Sequence, residues 1–338
     1  MRYIAVDRRG PHMWVTFDRP DKLNVLHAED LPGLRDIIAN LDPGVTGLVF
    51  TGAGPAAFSA GMNIETFAGM DRAGAKAFIG QLVGIMQAIR RSPAVTVAAV
   101  SGYCLGGAFE LALACDLRVV TTTAVFGLPE IKAGVPSVID AALLPGFVGL
   151  SKAREMILTG DNYRLDQLPP HSIANVITEP GLLAEATGRL LERTATHTRT
   201  VTAAQRRLFG LWLNSPLDEA VERSTDEFAA TFEAHETREQ IARHYRRITH
   251  SSGSPWQYPS QQSLPGAVDE WLPGSVAALP EKGPTRWPSR THRGDHPPRL
   301  LRGLAQGHVR DGRGPAGLPR RVNRLDLEPR DRPAYDPA

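Results

Sequence analysis

Cysteine is nearly absent from this chain. Of its 338 residues only Cys104 and Cys115 are cysteine. That excludes a disulfide framework and points to a reducing compartment, so a cytoplasmic location is expected. An excess of one charge sign is missing too: Lys and Arg number 38 against 36 Asp and Glu, a formal net charge of +2. So even a balance gives no whole-chain reason to expect nucleic acid or an anionic membrane as partner. Nor is there a long unbroken hydrophobic run. The most apolar stretch, residues 95–120, is interrupted by Ser101, Gly102, Gly106, Gly107, Glu110 and Asp116. Acidic side chains near its middle would be costly in lipid, so it reads as a buried strand followed by a buried helix. No long apolar stretch follows Arg2, and no signal peptide is expected. Walker A, HExxH, CxxC and G-x-S-x-G patterns do not occur, and the histidines show no pair at metal-ligand spacing on a helix. Metal catalysis and a Ser-His-Asp triad therefore lack a starting point, and no metal is expected.

What is present is unevenly distributed. Hydrophobic residues make up 42% of the chain, enough for a sizeable core. Residues 251–338, however, contain no Ile, Phe, Met or Cys, and hold 14 of the 27 prolines. They carry 13 basic and 9 acidic residues. A segment so composed cannot bury enough apolar surface to offset the entropy of ordering it. A boundary is expected near Ser251-Ser252-Gly253-Ser254-Pro255, with a domain over 1–250 and a Pro/Gly/Arg-rich, mostly disordered tail over 251–338. The tail arginines, Arg299, Arg302 and Arg310 among them, lack aromatic interleaving. Solvated low-complexity sequence explains them better than nucleic-acid binding.

The first 250 residues alternate short β-type runs with helical ones. Strands are predicted at Tyr3–Val6, Met13–Phe17, Gly47–Phe50, Val95–Val100, Leu117–Thr121 and Asn175–Thr178. Helical spacing of apolar residues predicts helices at Glu29–Leu41, Ala75–Arg91, Leu105–Cys115, Ile139–Val148, Lys152–Leu158, Leu182–Thr194, Thr202–Leu213 and Leu217–Arg247, the last broken near His235. Strands separated by helices indicate an α/β class.

Three segments carry chemistry, and a fourth is a decoy. Gly52-Ala53-Gly54-Pro55-Ala56-Ala57 follows a strand and fits a dinucleotide fingerprint, with Asp71 about twenty residues on. Another loop, containing Pro55, Phe58, Ser59 and Gly61, stands where a Rossmann helix would have to begin, so nucleotide binding is not read from it. The informative segment runs from Ser101 to Asp116, out of a β-rich stretch into a helix that starts on Gly106-Gly107. Bare N–H groups at a helix start favour negative charge, and glycine lets a ligand approach the backbone closely. Glu110 sits about one turn inside this otherwise apolar helix. An ion pair with a distant arginine would explain it as well as a functional role would. The loop Phe58-Ser59-Ala60-Gly61-Met62-Asn63-Ile64 can supply a further outward N–H. Phe126-Gly127-Leu128-Pro129-Glu130 places a second glutamate after a strand, where a surface or capping role would also suit it.

Together these blocks resemble the enoyl-CoA hydratase/isomerase (crotonase) superfamily from about Ile4 to Arg247. Arg19-Pro20-Asp21-Lys22-Leu23-Asn24-Val25 stands upstream as its R-P-x-x-x-N-x entry, and Leu158-Thr159-Gly160 and Thr237-Arg238-Glu239 are later landmarks. The resemblance implies an α/β crotonase-type spiral of ββα units to about residue 195. Beyond it, at about 196–250, a helical C-terminal section would help assemble a homo-trimer or hexamer. It implies an acyl-CoA thioester as substrate, with coenzyme A as part of that substrate and no separate cofactor. The oxyanion-hole N–H groups would fall on Met62 and Gly107, and Glu110 and Glu130 would be the catalytic pair of a hydratase. Lys22, Leu23, Ala60, Met62, Asn63, Ile64, Glu65 and Gly107 would line the substrate. The implied reaction is reversible hydration of a 2-trans-enoyl-CoA. Isomerisation, thioester hydrolysis, decarboxylation and a non-catalytic CoA-ester scaffold are its rivals.

The chain also departs from the family pattern. Typical hydratases follow the second glutamate with Gly-x-x-Pro-Gly-x-Gly-Gly, whereas this chain has Gly134-Val135-Pro136-Ser137-Val138-Ile139-Asp140. A reshaped acyl pocket is expected. Asp140 adds a third carboxylate that would suit a helix surface or the pocket equally. Pro169 and Pro170 fall where a helix would otherwise be expected.

Overall fold

In the computed structural model, residues 2–250 are described. The expected tail over 251–338, and the boundary near Ser251, lie outside the described residues.

The chain begins with an antiparallel hairpin of β1 (Ile4–Arg9) and β2 (His12–Phe17), followed by α1 (Leu31–Ala39). It then repeats one theme. A core strand is followed within a few residues by a three-residue strand in a second sheet, and then the chain turns away. β3 (Gly47–Gly52) leads to β4 (Ala57–Ser59) and α2 (Arg72–Arg91). β5 (Val95–Val100) leads to β6 (Tyr103–Leu105) and α3 (Gly107–Ala114). β7 (Leu117–Thr121) leads to β8 (Val125–Gly127), 3-10 turns, and the short helices α4 (Leu144–Val148) and α5 (Leu150–Thr159). β9 (Asn162–Arg164), β10 (Val176–Thr178) and α6 (Leu183–Thr194) complete the spiral. Among the described residues the larger sheet has the order β1-β2-β3-β5-β7-β10, and the smaller β4-β6-β8-β9. From β2 onward the larger sheet is parallel.

Burial follows the strand period of two. Leu48, Phe50, Ala98 and Val100 face the main core with Leu34, Ile38, Leu82, Ile85 and Ile89 of α1 and α2. The intervening Val49, Val97 and Ala99 face the other side and pack with Ala186, Leu190 and Leu191 of α6. With both faces covered, β5 is buried at every residue, as a central parallel strand should be.

Beyond the spiral come α7 (Arg199–Asn214), α8 (Leu217–Thr231) and α9 (His235–His250). Arg206 of α7 is buried against the core. It pairs with Asp116 at 2.8 Å and donates to the carbonyls of Ala94 and Ile89, each at 2.8 Å. No described helix is long and apolar enough to cross a membrane.

The long elements match the sequence reading to within a few residues, including the break before His235. One expectation needs correcting. The predicted helix at Ile139–Val148 is a 3-10 turn at Asp140–Leu143 running into α4. As the sequence reading has it, the glycine-rich stretch after β3 does not open a helix: it leads into β4, and Asp71 caps α2 by accepting the Gly74 N–H at 2.7 Å. The Pro169-Pro170 region follows a 3-10 turn (Leu165–Gln167), and His171 there adopts a left-handed φ of 56°.

Candidate active site

The site grows from the start of α3. Gly106 has φ 56° and ψ −138°, a region that only glycine enters readily, and it turns the chain from β6 into the helix. A Cβ at Gly106 would stand 2.7 Å from Glu130 Oε1, so the missing side chain is what gives the Glu130 carboxylate its place. Every residue of α3 from Ala108 to Ala114 is buried, the pattern of a helix enclosed on all sides. Glu110 is part of that run and is only 2% exposed.

Glu110 is held by the loop that precedes α4. Its Oε2 accepts the main-chain N–H groups of Ile139 at 3.1 Å and Asp140 at 2.9 Å. Burial, then the charge of Glu130, push the Glu110 carboxyl up to about 7, with main-chain hydrogen bonds opposing them. Glu130 stands in the 3-10 turn Pro129–Ala133 that leaves β8, and its Oε2 accepts the Ser137 hydroxyl at 2.9 Å. Burial raises its carboxyl as well, while its own amide and Ser137 hold it down. Burial thus raises both carboxyls, and the nearby charges of Glu130 and Asp140 add to the rise at Glu110.

Asp140 is not on a helix surface. It is 5% exposed and forms an ion pair with Arg90 at the end of α2. Burial raises its carboxyl and Arg90 opposes the rise. Its main-chain N–H faces Glu110, so Asp140 serves the pair through its backbone.

The loop from Ala60 to Glu65 packs beside the α3 start. Gly61 has φ 91°, and a Cβ there would stand 2.9 Å from the Leu105 carbonyl and 3.5 Å from Gly107 N. Met62 reaches Gly107: its Cγ is 3.9 Å from where a Gly107 Cβ would be. Leu26 donates to the Gly61 carbonyl at 2.8 Å and accepts from the Asn63 N–H at 2.9 Å. In an extended segment alternate N–H groups point to opposite edges, so Met62 N–H faces away from Leu26. Among the described residues, neither Met62 N–H nor Gly107 N–H has an acceptor.

The upstream entry is tied to the same loop. Leu23 has a left-handed φ of 50°, and its carbonyl accepts the Ala60 N–H at 2.8 Å. Buried Asn24 donates to the carbonyls of Ala53 at 3.0 Å and Ala57 at 2.7 Å, and accepts the Arg19 N–H at 2.9 Å. Lys22, Ile64 and Glu65 are exposed on the rim, and Asn63 donates to Glu65 at 3.1 Å. The structure therefore brings all the sequence-derived candidates into one neighbourhood, in two groups: the buried carboxyls, and the loop with its rim. The sequence reading missed Ser137, Arg90 and the Ile139 amide. A lone serine and an arginine fifty residues away carry no local signal, and a main-chain donor carries none at all.

A spiral of strand-strand-helix units around a glycine-started helix defines this as a crotonase-type α/β protein. The sequence model described as enoyl-CoA hydratase/isomerase matches residues 12–249, and the chain belongs to that family. It is 25% identical over 243 residues to the short-chain-enoyl-CoA hydratase of Clostridium acetobutylicum, covering 70% of this chain and 92% of that protein. It is 28% identical over 211 residues to the (E)-benzylidenesuccinyl-CoA hydratase of Thauera aromatica, covering 62% and 82%. Among solved structures, DspI of Pseudomonas aeruginosa superposes with a TM-score of 0.69 at 27% identity, covering 73% of this chain and 95% of that one.

Proposed function

We propose that this chain catalyses the reversible hydration of a 2-trans-enoyl-CoA to a 3-hydroxyacyl-CoA. One observation carries the reading: the buried Glu110 carboxyl and the half-buried Glu130 carboxyl lie near two main-chain N–H groups that lack acceptors. The hydratase relatives support the same chemistry.

In this reading the N–H groups of Met62 and Gly107 hold the thioester oxygen. Their stabilising effect grows as negative charge develops on that oxygen, and one such donor is worth about 2.7–4 kcal/mol. Water adds to C3 and gives its proton to Glu110. The π pair moves toward the thioester, forming an enolate, and C2 takes a proton from Glu130. The pair ends with its single proton on Glu110 in place of Glu130. That final arrangement is the starting point for dehydration. Hydration begins from the other placement of the same proton. Lys22, Leu23, Ala60, Asn63, Ile64 and Glu65 line the path of the CoA moiety, with Lys22 offering a positive charge to its phosphates. The protein acts as a cytoplasmic homo-trimer or hexamer without a separate cofactor.

Turnover of crotonyl-CoA and longer enoyl-CoA esters tests the assignment. Glu110→Gln and Glu130→Gln should each lower kcat by roughly 10²–10⁴-fold, the span of general acid–base catalysis. Unchanged turnover in both variants refutes the roles. Mass spectrometry separates the rivals: hydration adds water, isomerisation leaves the mass unchanged, and hydrolysis releases free CoA. Binding of CoA esters with no turnover across a broad panel would favour a scaffold.

A further inference from the structure

We propose that Ser137 is a positioning residue for the acid–base pair: its hydroxyl fixes the Glu130 side chain and follows that carboxyl through loss and gain of its proton. The inference deepens the hydratase reading and rests on it for its catalytic meaning. Its geometric basis is independent of that reading.

The two carboxyls are held by different kinds of partner. Glu110 Oε2 accepts two main-chain N–H groups, from Ile139 and Asp140, which can only donate. Glu130 Oε2 meets a hydroxyl, which both donates and accepts. When Glu130 is ionised the Ser137 O–H donates to it. When Glu130 carries a proton on that oxygen, the hydroxyl rotates and accepts. Such a partner keeps its hydrogen bond to Glu130 in both protonation states of that carboxyl. A group held by two fixed donors is instead kept in one orientation throughout.

Apart from the main-chain amide of Glu130 itself, which can only donate, the surroundings leave this task to Ser137. Glu130 Oε1 is backed by the bare Cα of Gly106, which offers no side chain. The titratable groups around the pair are Glu110 from α3 and Asp140, the latter engaged by Arg90 from α2. Lys132, in the same turn as Glu130, is engaged outward with Asp161 at 2.8 Å. Ser137 also stands in the stretch where the family's usual pattern has glycines, which carry no hydroxyl. The serine is therefore a feature of this chain's own loop.

The test uses the full-length protein carrying carbon-13 at the glutamate carboxyl, as wild type, Ser137→Ala and Ser137→Thr. Carbon-13 NMR follows the titration of Glu130 and Glu110. In Ser137→Ala the Glu130 midpoint should move upward, because the hydrogen bond that favours its ionised form is gone. Ser137→Thr, which keeps the hydroxyl, should restore it. With crotonyl-CoA, Ser137→Ala should lower kcat by roughly ten- to a hundred-fold with KM nearly unchanged, the scale of a misplaced catalytic group. Ser137→Thr should recover most of that loss. An unchanged Glu130 midpoint in Ser137→Ala overturns the proposal whatever the activity. A shifted midpoint in a protein whose wild type hydrates no enoyl-CoA upholds the positioning and overturns the hydratase reading alone.

Discussion

A carboxyl that titrates near 7 in the folded chain, against 4.5 for the free side chain, weakens the fold as pH rises. Between those two values the native state holds more protons than the unfolded state, so stability falls with pH across that window and is flat on either side. Glu110→Gln removes the titration. The variant should therefore gain on wild type from pH 5 to pH 8, by on the order of 1–3 kcal/mol, with little gain at pH 4. Urea unfolding at the two ends of the range reads it directly. A constant difference between the two proteins would show that Glu110 is not desolvated as described. The same substitution abolishes the proposed chemistry, so the residue that weakens the fold is the one the reaction needs. Glu110 was legible in the sequence because an acidic residue amid apolar ones is conspicuous, whereas Glu130 stood out only through the family resemblance. Ser137 was not, because its role exists only once the chain after Pro136 folds back onto Glu130.

At the scale of elements, the start of α3 and the loop before α4 act as one unit. Gly106→Ala forces a side chain into a left-handed backbone and against Glu130 Oε1. It should cost about 1–3 kcal/mol in strain and displace the carboxylate. Gly80, in the exposed middle of α2, has nothing within 4 Å of its missing Cβ. Gly80→Ala should instead stabilise by roughly 0.4–1 kcal/mol and leave turnover unchanged. Denaturant melts of the two variants side by side separate a conformational role for glycine from mere helix weakening. Arg90→Met leaves the Asp140 carboxylate buried without its partner. Arg90 is partly exposed, so the loss should be about 1–3 kcal/mol, less than for a fully buried pair. Long elements such as α2 and β5 were legible because fifteen or more helical positions, or an apolar run rich in β-branched residues, mark the element type. The strands of the smaller sheet were not. β4, β6, β8 and β9 are three residues each, too short for any period, and they exist only because neighbouring turns bring them into register.

For the molecule as a whole, the C-terminal helices combine one firm anchor with a large apolar surface. Arg206 fixes α7 to the core, yet Phe209, Trp212 and Leu213 of α7 and Leu217 and Phe228 of α8 are exposed. Monomeric proteins rarely leave such residues grouped in contact with water. The proposed homo-oligomer covers them with a second copy, so Phe209→Asp with Phe228→Asp should shift sedimentation from a multiple of the 36.7 kDa chain toward the monomer. Unchanged sedimentation would place the contact elsewhere. The family match ends at residue 249 and every site residue precedes it. A chain ending at residue 250 should therefore keep the melting temperature and the crotonyl-CoA turnover of the full chain.

The N–H groups of Met62 and Gly107 belong to the peptide backbone. Mutational drift that rewrites the side chains of this protein deletes neither donor unless it introduces proline, although it can remove or exchange the acids beside them. A lineage built on this scaffold can thus change what it does to a bound acyl group while keeping the means of gripping it. Proline at either position, or an amide-to-ester replacement made by chemical synthesis, would take that proposed grip away.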